Sequence, residues 1–356
     1  PKDHTLYEEL IESAITVVKN SKEVLPIKDL KNKKFAYVNF GDADGQPFLK
    51  QLQKYGQVDW VKANTLDDLI VKLDPYETVI IGFHKPNDNP WRSYKMSQRE
   101  LTWIYEIART NKVILSIFTR PYALLDIKTT TNFEGIVVSY QNSEVAQEIS
   151  AQVIVGARAA KGKLPVSAGE AFPVNTKITT NYLGRLSYGT PESVGMNTQK
   201  LKKVDSLAKR VVSENMAPGA QVLVARHGKV FFQKNYGYHT QDKEIVVEDD
   251  HMYDVASLTK ILATVPVLIK LADQGVITLE STLGDLLPEY KLSNKSFIAL
   301  KELLSHYAGL KSWIPFYKST MDKELNKPSL SYYSPTPQVG FSAVVTEKLY
   351  ARDDME

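Results

Sequence analysis

Four short runs limit what this chain can fold into: Phe35-Ala-Tyr-Val-Asn-Phe40, Thr78-Val-Ile-Ile-Gly-Phe83, Val113-Ile-Leu-Ser-Ile-Phe118 and Gly135-Ile-Val-Val-Ser139. Each is apolar on both faces and rich in β-branched residues, as strands buried on both sides of a parallel sheet are. Between them lie stretches with helical spacing: Pro47 to Tyr55, Thr65 to Lys72, Ser97 to Thr110 and Ser143 to Val155. Strand and helix in alternation predict an α/β fold, a parallel sheet covered by helices on both faces. The opening segment, Glu8 to Asn20, reads as a further helix.

Two loops after these runs carry residues that invite a functional reading. Gly41-Asp-Ala-Asp-Gly45 lacks the remaining ligands of a calcium loop and the lysine of a phosphate loop, so it reads as a strand-to-helix turn. His84 opens Lys85-Pro-Asn-Asp-Asn-Pro90 at the carboxyl end of a predicted strand, the place where α/β sheets bind ligands. The Asn/Asp/Pro cluster is turn-forming, and the loop is read as a polar turn rather than as part of a sugar site.

The 356 residues suggest two domains at roughly 100–200 residues each. The 44 basic and 41 acidic residues are spread along the chain with no dense basic block, so no nucleic-acid partner is expected. The absence of cysteine excludes disulfides, cysteine catalysis and thiolate metal sites. No apolar run reaches the roughly 18 residues of a membrane span. Neither a metal nor a cofactor is implied by any motif. The first residues, PKDHTLYEEL, are not a signal peptide; they read as the middle of something, and the chain is expected to be a piece of a longer protein.

From Phe172 to Tyr188 the chain is polar and without period, as an extended crossing between domains would be. A helix is predicted from Asn197 to Val212. Gln221 to Ala225, a turn at Arg226-His-Gly-Lys229, and Val230 to Tyr236 form a predicted antiparallel hairpin. Next comes Tyr253-Asp-Val-Ala-Ser257-Leu-Thr-Lys260, then an apolar helix from Ile261 to Gln274, kinked at Pro266 and stopped by Gly275. Residues three apart on a helix share a face, so Lys260 comes within reach of the Ser257 hydroxyl. Ser257 and Lys260 are candidate catalytic residues; by their spacing alone they read equally as an ordinary helix N-cap with a solvated lysine. A serine hydroxyl becomes a nucleophile when a neighbour takes its proton, and a neutral lysine can do so once burial or positive charge lowers its pKa. The serine N–H at a helix start is a natural oxyanion donor.

Ser-x-x-Lys is a signature of β-lactamases and penicillin-binding proteins. Here it is followed by Leu271-Ala-Asp-Gln-Gly275-Val-Ile-Thr-Leu279, Leu283-Gly-Asp-Leu-Leu287-Pro288 and Leu303-Leu-Ser-His306-Tyr-Ala-Gly309-Leu310. In this order the segments resemble class C β-lactamases and their DD-peptidase and esterase relatives, over about residues 188–320. The resemblance gives His306 a structural turn rather than a place beside Ser257. His227, in the hairpin turn, is expected to be exposed. Trp313, Phe316, Tyr317, Tyr332 and Tyr333 could line a sugar or peptide cleft or pack a loop. The tyrosine base and the Lys-Thr-Gly strand of that family have no match, so the 356-residue chain is expected not to turn over.

The first half resembles the C-terminal α/β sandwich domain of family-3 glycoside hydrolases. The likeness rests on the opening helix running into Asn20-Ser-Lys-Glu-Val-Leu-Pro26 and on the closing Gly162-Lys-Leu-Pro-Val-Ser167. The implied organisation is a sandwich domain over 1–176, a linker over 177–190, and a partial α+β β-lactamase-like domain over 191–356. The resemblances imply a bifunctional bacterial hydrolase, a β-N-acetylhexosaminidase joined to a serine acyl hydrolase. Its catalytic barrel would precede this chain and the rest of its serine site would follow. It would act outside the cytoplasm on small molecules or on cell-wall glycan and peptide. The competing reading is a non-catalytic β-lactamase-fold module for binding or scaffolding.

Overall fold

The computed structural model describes residues 2–89 and 91–355, except the side chains of Lys2 and Phe316. Pro90, which closes the polar loop after His84, lies outside the described residues. Packing divides the chain into two compact units, one ending at His251 and one beginning at Met252.

The first unit is built on a six-stranded sheet. Its elements in chain order are α1 (Lys2–Ala14), β1 (Thr16–Asn20), β2 (Phe35–Gly41), α2 (Gln46–Gln53), β3 (Val58–Trp60), α3 (Leu66–Leu73), β4 (Thr78–His84), α4 (Gln98–Thr110), β5 (Lys112–Phe118), β6 (Phe133–Val138) and α5 (Glu144–Ile154). The sheet order is β1-β6-β5-β4-β2-β3. The pairs from β6 to β3 are parallel, whereas β1 runs antiparallel to β6. The predicted opening helix therefore ends at Ala14. Thr16, Val17 and Val18, β-branched and buried, leave it to form an edge strand, which suits residues stiff at χ1.

Each central strand feeds two cores. Val79, Ile81, Leu115 and Ile117 point to one face, against Leu69 and Leu73 of α3 and Ile104 and Ile107 of α4. Ile80, Ile114 and Phe118 point to the other, against Ile11 of α1, Phe48 and Leu52 of α2, and Ile149 of α5. The period-2 alternation with both faces apolar explains why the runs look uniformly hydrophobic in sequence. Ser97 caps α4 by a reciprocal pair, its side chain taking the Glu100 N–H while Glu100 takes its own, satisfying two orphan donors of the first turn.

His84 is neither a loop residue nor exposed. It ends β4 fully buried, its ring stacked on Phe118 with centroids 4.3 Å apart and planes 8° from parallel. Asn142 gives its Nδ2 to Asp44 O at 3.3 Å and receives Gln147 Nε2 on its Oδ1 at 3.2 Å. That orientation makes His84 Nδ1 the donor to Asn142 Oδ1, at 2.6 Å. Nε2 then accepts the Tyr37 hydroxyl at 2.8 Å, and the same hydroxyl has Asn39 Oδ1 as an alternative acceptor at 2.8 Å. The network holds the Gly41–Gly45 turn against the sheet. Gly45 sits so close that a Cβ there would lie 1.9 Å from Tyr37 Oη.

Burial holds the His84 imidazole well below its ordinary range, at about 4, opposed by the Asn142 hydrogen bond and the Asp44 charge. The unfolded chain, with an imidazole near 6.5, takes up a proton in the window between the two values that the folded unit does not. Stability from this source is complete above about pH 6.5 and falls by roughly 3 kcal/mol as pH drops through about 4. His84→Gln is expected to flatten the slope of urea-unfolding stability against pH in this window. An unchanged slope would assign the acid sensitivity to other groups.

The segment after α5 is tied to the sheet unit. Ile178 bridges to Val17, and Arg185 donates to the carbonyls of Ile27, Lys28 and Val155. Beyond it, β7 (Ser187–Tyr188), α6 (Thr198–Ser213), β8 (Gly219–Arg226) and β9 (Lys229–Gly237) complete the first unit. The order is β7-β9-β8. The predicted hairpin is present, with β8 antiparallel to β9, and Leu201 of α6 packs with Phe231.

The second unit holds α7 (Val265–Asp273), α8 (Leu283–Leu286), α9 (Leu300–Leu304) and the short strands β10 (Met321–Asp322), β11 (Lys327–Pro328), β12 (Tyr333–Ser334), β13 (Ala343–Thr346) and β14 (Leu349–Ala351). The last three form one antiparallel sheet. None of the α7 side chains is buried, and many large apolar residues of this unit, Leu292 and Val339 among them, face outward. Among the described residues no helix is long and apolar enough to cross a membrane.

Candidate active site

The Ser257 segment begins with Asp254, whose carboxylate accepts the Ala256 N–H at 2.6 Å. Ala256 has φ of 41°, in the left-handed region that alanine pays to enter. Such backbone strain gathers at functional positions, where the surroundings hold it. Nothing in the sequence signals it, because alanine is an ordinary helix former.

A single 3₁₀ turn, Ala256–Leu258, carries Ser257, and a π-helical turn, Lys260–Thr264, follows. The helical backbone then runs on as α-helix from Val265. The helix expected from Ile261 is present, with a π turn in its first part. Pro266 stands at the second position of α7, directly after the π turn, so the place where the proline removes a backbone N–H coincides with the change from π to α geometry.

The structure brings the two predicted residues together. Lys260 Nζ lies 3.1 Å from Ser257 Oγ, donating to it. Both side chains are exposed. Among the described residues this is the one side-chain hydrogen bond that either makes. A base acting on Ser257 would need the amine in its neutral form with its lone pair turned to the hydroxyl.

Other sequence candidates stand elsewhere. His306 is exposed at the end of α9, with φ of 57° and its N–H on Leu303 O at 3.2 Å; among the described residues no hydrogen bond joins it to Ser257. His227 is exposed in the hairpin turn, with φ of 53°. The aromatic residues split into separate contacts: Trp313 with Tyr317, centroids 6.4 Å apart, Arg352 over Tyr332, and Tyr333 with the Thr320 hydroxyl at 2.8 Å. Phe316 lies outside the described side chains.

The Beta-lactamase family model matches residues 204–342. Protein flp of Staphylococcus aureus (strain NCTC 8325 / PS 47) is 30% identical over 125 residues, 34% of this chain and 25% of that protein. The N-acetylmuramyl-L-alanine amidase of Bacillus subtilis (strain 168) is 30% identical over 139 residues, 35% of this chain and 31% of that protein. The chain thus spans about a quarter to a third of the length of these curated relatives. Among solved structures, a glycoside hydrolase family 3 β-N-acetylglucosaminidase from Paenibacillus sp. str. FPU-7 is similar at 17% identity and TM-score 0.36, over 49% of this chain and 33% of that one. Residues 204–342, which hold the Ser257–Lys260 pair, match the β-lactamase family model.

Proposed function

We propose that Ser257 is the nucleophile of an acyl-transfer hydrolase, with Lys260 as the first partner that handles its proton. The observation that carries this reading is the 3.1 Å contact from Lys260 Nζ to Ser257 Oγ inside a segment that matches the β-lactamase family. In the proposed reaction the Ser257 oxygen attacks an acyl carbon while its proton passes to a base. The tetrahedral oxyanion collapses, expelling an amine or alcohol that takes a proton. Water then cleaves the acyl-enzyme, restoring the hydroxyl.

The substrate class we favour is bacterial cell-wall material, with the site outside the cytoplasm. A relative named N-acetylmuramyl-L-alanine amidase supports it, as does the proposed union with a family-3 β-N-acetylhexosaminidase. The two activities would cut amino-sugar links and acyl bonds of one polymer. The test is to offer purified full-length protein both muramyl peptides and an N-acetylglucosaminide. Release of new amine termini and of free sugar is the expected result. No sugar release would remove the glycosidase half, and no amine release would remove the amide-bond half.

One observation favours a second reading, a binding module without turnover: Ser257 and Lys260 lie exposed with no third group among the described residues bonded to them. A fluorescent penicillin and a fluorophosphonate separate the two readings, since a module takes up neither.

A further inference from the structure

Between the six-stranded sheet and the β8–β9 hairpin the chain passes through Ser187, Tyr188, Gly189 and Thr190, and this segment is bonded along both edges. The Ser187 N–H goes to Gly228 O at 2.9 Å and the Gly189 N–H to Val230 O at 3.1 Å, which lays β7 parallel to β9. Tyr188 turns the other way. Its N–H donates to Gln152 Oε1 of α5 at 2.8 Å, and its carbonyl accepts Arg158 Nη2 at 2.7 Å. Alternate residues of an extended strand direct their backbone groups to opposite edges, so three residues bond two bodies at once.

The anchor on the sheet side is buried. Arg158 is 5% exposed and divides its guanidinium among three partners. Besides Tyr188 these are Gln152 Oε1, from Nε at 3.0 Å, and the Glu12 carboxylate of α1, from Nη1. Glu8, one turn earlier on α1, accepts the Thr190 N–H at 3.3 Å and the Thr190 hydroxyl at 3.0 Å. Tyr55, just after α2, donates its hydroxyl to Leu186 O at 2.8 Å. Its ring stands edge-on to Tyr188, centroids 5.8 Å apart.

The hairpin has little else to rest on. Its buried apolar cluster comprises Val194, Leu201 and Phe231, and Leu223 of β8 faces outward. A two-stranded hairpin is marginal by itself and gains stability from a third strand or a packed helix. Helix α6 covers it through Leu201, and the third strand is β7. Compact packing accordingly runs from the sheet through the hairpin to His251 as one unit, although the family match starts at residue 204.

We propose that the six-stranded sheet and its helices are the folding scaffold of the hairpin in the β-lactamase-family segment. Residues 187–190 are the strap, clamped between Arg158 on one edge and β9 on the other. The strap gives the hairpin its third strand, and the buried Arg158–Glu12 pair holds the strap in register. Removing one member of such a pair leaves the other buried without compensation, so the clamp fails as a whole when Arg158 loses its charge. The assignment is independent of whether Ser257 acts as a nucleophile, because no residue of the Ser257 segment takes part in the clamp.

The experiment follows amide hydrogen exchange, segment by segment, on the whole chain in wild type and two variants. Arg158→Met keeps the length of the side chain and removes its charge. Tyr188→Pro removes the N–H that faces Gln152; the N–H groups that pair with β9 belong to its neighbours and remain. Slow exchange in β8 and β9 of the wild type is expected. In each variant their protection should fall by at least about tenfold, while β4 and β5 keep theirs. If Arg158→Met loosens β4 and β5 as well, Tyr188→Pro decides alone. Fast exchange of β8 and β9 in the wild type, or unchanged protection there in either variant, would overturn the proposal.

Discussion

Ser257→Ala is expected to abolish covalent labelling by a fluorophosphonate on the full-length protein, a drop of at least about a thousandfold in labelling rate. The effect is large because the bond to the probe is made by the atom that the substitution deletes. Lys260→Ala should also slow labelling by at least about a hundredfold, the range typical of losing a positioned proton acceptor. Lys260→Arg should not rescue it, since arginine stays protonated and cannot serve as a base. Both residues are exposed, so neither variant threatens the fold, and circular dichroism should be unchanged. Equal labelling of wild type and Ser257→Ala would place the nucleophile elsewhere. A wild type that takes up no probe would favour the binding-module reading.

The largest expected change in stability comes from Phe118→Ala. Phe118 ends β5 with no exposed surface. On one side it stacks on His84 at 4.3 Å, and on another it meets the edge of Phe48 at 5.0 Å and 67°. Removing the ring deletes buried apolar area and leaves a cavity between side chains that rigid strands hold apart. A loss of about 4 kcal/mol follows, to be read as a lower urea midpoint for the first unit. The same substitution removes the surface that keeps water from the Tyr37–His84–Asn142 network, so His84 should titrate closer to its ordinary range by NMR. A loss below about 1 kcal/mol would mean that α2 and α5 collapse onto the gap.

Much of the sheet was legible because its strands are buried on both faces, and a buried strand must be apolar wherever it runs. Thr78 to Phe83 and Val113 to Phe118 announce themselves this way. β1 does not, since Val17 and Val18 continue the apolar spacing of the helix before them. The choice between helix and strand there is made by pairing with β6, a partner more than a hundred residues away. β3, Val58–Trp60, is too short to carry a period. At the site, Ser257 and Lys260 were legible because their spacing is local. The left-handed Ala256 was not, because nothing in an alanine's type favours that conformation. His84 was legible only as the start of a polar loop, because its burial depends on α2 and α5 arriving over the end of β4.

The π-helical turn at Lys260–Thr264 bears on how related chains should be aligned. A π turn encloses one residue more than an α turn between bonded groups, so it behaves as a single-residue insertion absorbed without breaking the helix. Every residue after it is rotated by about 100° from the face it would otherwise occupy. Relatives that lack the turn should therefore show a one-residue gap between the lysine of Ser-x-x-Lys and the helix proline. Deleting Ala263 from this chain is the matching manipulation. It should remove the π turn, leave the Ser257–Lys260 spacing untouched and turn the whole apolar stripe of α7 by one residue. Evolution could thus re-aim that helix face by gaining or losing one codon, without disturbing the Ser257–Lys260 pair.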